Sequence, residues 1–322
     1  MNVVIIGAAG HWHIIRSAAE ADSRVKVIAI APGCPGEDIS VLRNTFPNAA
    51  VFDDWREAIA VPGAEFAAVN PPFSYAADIT VACLERSLHV YSEKPLATEL
   101  SDLERIEAAR AASGKALGGM FNYRYFPWFL AMEEAVKAGE IGMLRQIHAQ
   151  KSYRMGTRPD FYKKRATFGG LIPWVAIHGI QWVTTFGGSC SWVSASHSSE
   201  ENRGNGEMEC TSAVLMGMEN GVIATVTADF FRPTGSARHD DDRLRLTGTR
   251  GMVEVIDGQV YLENEEHRRS LPLPPMKNSF LEFADAIGSD RENEFLFEAI
   301  HNTRTALIAR ESADKGGMRL EV

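Results

Sequence analysis

The heptapeptide "GAAGHWH", Gly7 to His13, directly follows the apolar run Val3–Ile6 and precedes a helical pattern. A glycine-rich turn between a strand and a helix offers backbone N–H groups to a phosphate at the helix N-terminus. In a G-x-G-x-x-G register the three glycine tasks are a tight turn, room for a pyrophosphate and close helix–strand packing. Here they fall on Gly7, Ala9 and Trp12. In a G-x-x-G-x-x-G register they fall on Gly7, Gly10 and His13, and two positions match. The stretch reads as a rearranged phosphate loop in the Gly7/Gly10 register, with Ala9, His11 and Trp12 beside the cofactor. The acid that usually holds the adenosine ribose belongs near Pro32, at the end of the second strand. "IAIAPGCPG" has neither acid nor arginine there, so NAD and NADP both stay open.

Two further groups have the right type for proton transfer: Lys94 in "HVYSEKPLAT" and His178 in "LIPWVAIHGIQW". Taking hydride from an alcohol carbon requires a base for the hydroxyl proton. A free lysine, near ~10.4, is mostly protonated and needs burial or a cationic neighbour to serve. Read in isolation, Lys94 is a solvated charge and His178 a core histidine. His11 and His13, two apart on a helix, face different directions and share no ion. "HDDD", His239 to Asp242, reads as a solvated acidic turn, and no metal site is expected.

The elements that must position these groups alternate in the first third. Strand patterns at Val3–Ile6, Val25–Ala31, Phe66–Val69 and His89–Tyr91 are separated by helical stretches. Asp53 or Asp54 can cap the helix around "WREAIA", Ser74 opens another, and Ser101 with Glu104 has capping-box spacing ahead of a helix closing at Gly114. This rhythm predicts an α/β fold with a doubly wound parallel sheet. After Lys115–Phe121 a helix over Trp128–Ala138 precedes strand-like segments at Gln146–Tyr153, Cys210–Met218, Val222–Asp229, Arg243–Thr247 and Met252–Ile256. Hairpin turns at Glu219–Gly221 and Asp257-Gly258 make this part α+β, with a large, mainly antiparallel open sheet. A long helix, Glu294–Ser312, ends the pattern. The division is 1–120 for cofactor and 121–322 for substrate and assembly.

"SEKPLA" resembles the Glu-Lys-Pro motif of the Gfo/Idh/MocA oxidoreductases, matched by Glu93, Lys94 and Pro95. Five other regions stand in the family's order along the chain: "AAVNPPFSY", with Asn70 and Pro71; "MFNYRYFP" at the crossover; "KAGEIGMLRQI"; Gly169-Gly170 ahead of His178; and "LTGTRGMVEV". The resemblance implies a Rossmann domain, an α/β domain whose open sheet commonly serves oligomerisation, and an active site between them. It further implies NAD or NADP as cofactor and Lys94 with His178 in proton transfer. Asn70, Pro71 and Glu93 would contact the cofactor, and Tyr123, Arg124, Trp174 and His178 the substrate. Lys163, Lys164 or Arg165 would be positioned to meet an acidic sugar.

The family's carboxylate four residues before the histidine is Trp174 here, and a later one is Gln181. Three readings follow: a sugar or polyol dehydrogenase with altered substrate geometry, an NAD-dependent glycosidase-type relative, or a non-catalytic ligand-binding or regulatory homologue. Tyrosine, histidine, Asp160 or Asp240–Asp242 would then replace the missing acid. The presence of both Lys94 and His178 favours the first. A formal net charge of −9 argues against nucleic-acid or anionic-membrane partners. Four cysteines without CxxC spacing give no disulfide framework, and no apolar run reaches a membrane span. A cytoplasmic homodimer or homotetramer acting on a small molecule is the expectation.

Overall fold

A computed structural model describes all 322 residues. Six short strands form a parallel sheet: β1 Asn2–Ile6, β2 Lys26–Ala31, β3 Ala50–Val51, β4 Phe66–Val69, β5 His89–Ser92 and β6 Leu117–Gly119. Their spatial order, β3-β2-β1-β4-β5-β6, is that of a doubly wound dinucleotide-binding sheet. All four residues of β4 are buried, as expected of a central parallel strand covered on both faces. The Asp54 carboxylate caps the helix Trp55–Ala58 by accepting from Arg56 N at 2.9 Å. Gly114 closes the helix Leu100–Ser113 at φ +64°.

Two helix starts differ from expectation. Glu99, extended, is the N-cap of Leu100–Ser113, so Ser101 lies already inside the helix and its capping box does not form. A 3-10 turn, Phe73–Tyr75, holds the Ser74 region, and the α-helix begins at Ala76.

The second sheet has nine strands: β7 Leu144–Tyr153, β8 Cys190–Ser198, β9 Thr211–Met218, β10 Ile223–Asp229, β11 Asp240–Gly248, β12 Gly251–Ile256, β13 Gln259–Asn264, β14 Arg268–Ser270 and β15 Leu320–Glu321. It is mixed: β10 runs parallel to β7, and every other neighbouring pair is antiparallel. On β11, Asp242, Leu244 and Leu246 are buried while Arg243 and Arg245 are exposed, the alternation of a sheet with one covered face. Asp257 and Gly258, both at positive φ, make the tight turn between β12 and β13.

The compact units do not follow a single cut at residue 120. One comprises residues 1–121, 166–169 and 278–303; the other comprises 122–165, 170–277 and 304–322. The late segment joins the first unit because Phe280 and Phe283 pack on Tyr91, with ring centroids at 5.7 and 5.2 Å. The Tyr91 hydroxyl also meets Ser279 Oγ at 2.8 Å. No helix is long and apolar enough to cross a membrane.

Candidate active site

In the first unit the loop after β1 is folded onto the end of β4. Gly7 N–H donates to Ala31 O and Ala9 N–H to Asn70 O, both at 2.9 Å. Gly7 sits at φ +80°, and a Cβ there would stand 2.5 Å from Asn70 O, so the turn requires glycine. A Cβ on Gly10 would collide with the Glu93 carboxylate. The helix starts at His13, with Trp12 as its N-cap, and the Trp12 indole rests edge-on against Phe46 at 6.5 Å. The bulk at the third glycine position is thereby accommodated.

Two N–H groups of this loop already hold carboxylate oxygens. Ala8 N–H donates to Glu37 Oε1 at 2.8 Å, and Gly33 N–H to Glu37 Oε2 at 2.6 Å. His11 N–H donates to Glu93 Oε2 at 2.5 Å, and His11 Nδ1 lies 2.7 Å from the same oxygen. Burial pushes Glu37 above the usual glutamate range, partly offset by the N–H groups of Ala8, Gly33 and Cys34. Burial would raise Glu93 too, but His11 and Lys94 outweigh it and hold the carboxyl below its ordinary value.

Lys94 is 1% exposed. Its backbone N–H donates to Glu93 Oε1 at 3.0 Å, and its Nζ lies 4.0 Å from that oxygen. Glu93 thus ties the motif lysine to the glycine loop. Asn70 is fully buried, and neither atom of its side-chain amide has a protein partner. Buried amides are ordinarily satisfied. The orphaned amide and the glycine turn at the end of β1 fit a nicotinamide dinucleotide.

In the second unit, the 3-10 turn Asn122–Tyr125 and the helix Ile177–Gly187 bring Tyr123 and His178 together. Their rings meet edge to face at 4.7 Å. A π turn, Ile172–Ala176, carries Trp174 and leads into that helix. Trp174 is half-buried and faces the edge of Tyr162 at 6.4 Å. Below Tyr123 lies Lys151, fully buried on β7, with Nζ 3.9 Å from the ring centroid and 2.6 Å from both Asp242 oxygens. Burial alone would lower Lys151, but Tyr123 and Asp242 keep it above its ordinary value. Burial pushes Asp242 toward neutrality; the contact to both carboxylate oxygens decides for the ion pair. The Tyr123 hydroxyl is 3.3 Å from that of Tyr153, whose ring stacks on His239 at 4.9 Å.

Several expected contacts are placed elsewhere. Asp240–Asp242 begin β11 rather than forming a solvated turn, and Asp242 is buried under Lys151. Lys163 pairs with Asp160, Arg165 with Glu209 and Asp314, and Arg124 with Glu133 at 3.9 Å. Glu37 and Lys151 are the residues that sequence reasoning missed as parts of these clusters; Asp242 was expected only as one of the Asp240–Asp242 loop acids. The signal for Glu37 was an acid five positions beyond Pro32, across the "PGCPG" turn. Lys151 was detectable as a charge at an inward position of an alternating strand.

A parallel sheet in this order, with a glycine loop at the end of β1, defines a dinucleotide-binding class. Residues 1–120 match the oxidoreductase family with NAD-binding Rossmann fold, and residues 129–254 match the GFO/IDH/MocA C-terminal domain. The chain belongs to the Gfo/Idh/MocA oxidoreductase family. A candidate oxidoreductase structure from Thermotoga maritima is 36% identical over the whole of both chains, with a TM-score of 0.94. An inositol dehydrogenase homologue from Azotobacter vinelandii, solved with NAD+, shares the fold at 19% identity and a TM-score of 0.83, covering 100% of this chain and 97% of its own. Inositol 2-dehydrogenase of Salmonella typhimurium is 28% identical over 53% of this chain and 51% of its own length, so the match spans about half of that enzyme. The 1,5-anhydro-D-fructose reductase of Ensifer adhaerens is 26% identical over 82% of this chain and 83% of its own.

Proposed function

We propose that the protein is an NAD-dependent oxidoreductase acting at the hydroxyl-bearing carbon of a sugar, polyol or related compound. The observation that carries this reading is the buried Lys94, joined through one carboxylate, Glu93, to the loop that holds anions. Bound nicotinamide supplies the hydride acceptor or donor. Lys94 takes the hydroxyl proton in oxidation and returns it in reduction. His178, braced by the Tyr123 ring, contacts the substrate and shares that proton transfer. The loop residues Gly7, Ala9, Gly10, His11 and Trp12, with Asn70, Pro71 and Glu93, hold the cofactor.

Glu37 stands in for the acid absent at Pro32. A carboxylate with no cation paired to it suits a ribose diol and repels a 2′-phosphate, so NAD is preferred over NADP. The reading divides the labour between a cofactor region, 1–120, and a substrate and assembly region, 121–322. It carries a cytoplasmic location and homo-oligomerisation through the nine-stranded sheet. A non-catalytic ligand-binding homologue is the competing reading, and Trp174 in place of a carboxylate favours it.

Titration with NADH and NADPH, followed by nicotinamide fluorescence, tests the proposal. Saturable binding with NADH tighter than NADPH, weakened by Gly10→Val, is the expected result. A Lys94→Ala protein should still bind NADH while losing turnover of a polyol and sugar panel. Failure of both nucleotides to bind would overturn the dehydrogenase reading.

A further inference from the structure

Arg154 and Arg158 of the second unit are half-buried without a carboxylate partner, whereas Arg145, Arg203, Arg245 and Arg250, which also lack one, are exposed. Lys151, Lys163, Arg165 and Arg232 each face an aspartate or glutamate, whereas Arg154 and Arg158 form no ion pair. Arg154 spends its guanidinium on the Thr234 carbonyl at 3.3 Å. Arg158 is half-buried: its guanidinium lies 4.2 Å over the Phe230 ring and 5.6 Å from the Tyr162 ring. One terminal nitrogen donates to Arg154 O at 3.0 Å, and its Nε is buried with no protein acceptor.

Stacking on Phe230 orients the planar fork but offers no counter-charge. A charge withdrawn from water without a partner is costly, and such groups are ordinarily paired. At neighbouring His239, burial lowers the imidazole first and Arg158 and Arg154 lower it further, against the opposing pull of Asp240. This guanidinium, hydrogen-bonded to Arg154 O and the Tyr162 side chain but facing no carboxylate, is connected to His178 and to Trp174 along two lines of rings. One runs from His178 through Tyr123 and Tyr153 to Phe230 under Arg158. The other runs from Trp174 through Tyr162 to Arg158.

We propose that Arg158 binds a carboxylate of the substrate, so that the compound acted on is a sugar acid rather than a neutral sugar or polyol. The guanidinium fork matches a carboxylate in plane, and Arg154 adds a second positive charge nearby. Trp174, where a carboxylate would have repelled such a ligand, removes a negative charge from the same unit. What is done to the ligand rests on the oxidoreductase reading; its charge recognition does not.

The experiment is calorimetric titration of the full chain, without and with NADH, using D-gluconate and D-glucuronate. D-glucose and myo-inositol serve as neutral counterparts, and D-glucose 6-phosphate as the phosphate counterpart. The acids should bind more tightly than the neutral compounds, and Arg158→Met should weaken them roughly 10- to 100-fold, the weight of one charge-assisted hydrogen bond. Arg158→Lys, which keeps the charge and loses the fork, should fall between. Unchanged urea unfolding midpoints in both variants check that the chain is folded, and unchanged NADH affinity checks that the cofactor residues are undisturbed. Equal binding of acids and neutral sugars, preference for the phosphate, an acid preference that survives Arg158→Met, or no binding of either acid would each overturn the proposal. Acid binding without any NADH binding would uphold it while removing the dehydrogenase reading.

Discussion

The glycine loop of the first unit and the ring cluster of the second handle charge in opposite ways. The loop uses backbone N–H groups from a few consecutive residues, and its anions are Glu37 and Glu93, carboxylates of the chain itself. The cluster uses side chains drawn from residues 123, 151, 178 and 242, and its central charge is a fully buried ammonium held by one aspartate. A backbone-built site tolerates changes of side chain, which is why Ala9 and Trp12 are accommodated, but it fails when a Cβ enters the turn. A side-chain-built site has the reverse sensitivity, since deleting one partner strands the other in a low-dielectric interior.

The largest effect should come from the cluster. Lys151→Met leaves Asp242 buried without its partner and should cost about 3–5 kcal/mol of stability. Much of that loss should return in the Lys151→Met/Asp242→Asn double variant, as read from urea unfolding midpoints. If the single and double variants are equally unstable, the pair is not the unit described. Next comes the loop: Gly7→Ala forces a side chain to φ +80° against Asn70 and should cost about 1–3 kcal/mol, with a matching loss of NADH affinity. Wild-type affinity in that variant would mean the turn is not what holds the cofactor.

The smallest effect is a pH dependence on the loop side. The folded Glu93 carboxyl lies below its unfolded value. Its contribution is therefore complete above about 4.3, the ordinary glutamate value, and is lost as pH falls through the depressed value. Glu93→Gln should flatten the acid limb of a stability–pH profile and leave its neutral plateau shape unchanged. Parallel acid limbs in the two proteins would transfer the acid sensitivity to other carboxylates.

Much of the first unit could be read along the chain because its signals are local. Buried parallel strands are continuous apolar runs, Asp54 caps the helix that starts at Trp55 by accepting from the N–H two residues on, and a glycine such as Gly114 closes a helix at positive φ. The Ser101–Glu104 spacing misled because a cap depends on where the backbone turns extended, and that residue is Glu99. Strands as short as β3 and β6, two and three residues, carry too few positions for periodicity to register. The return of residues 278–303 to the first unit has no local signature either, since it is decided by Phe280, Phe283 and Ser279 finding Tyr91.

The same division runs through the candidate sites. Sequence alone determined the Gly7/Gly10 loop, the family motif at Lys94 and the loss of a carboxylate at Trp174, because each lies within one contiguous stretch. Only the tertiary structure decided that Glu37 reaches back to Ala8, that Lys151 finds Asp242 ninety-one positions away, and that Arg158 keeps its charge unpaired. Whether a charge is paired depends on distance and desolvation in three dimensions, and a linear spacing carries neither.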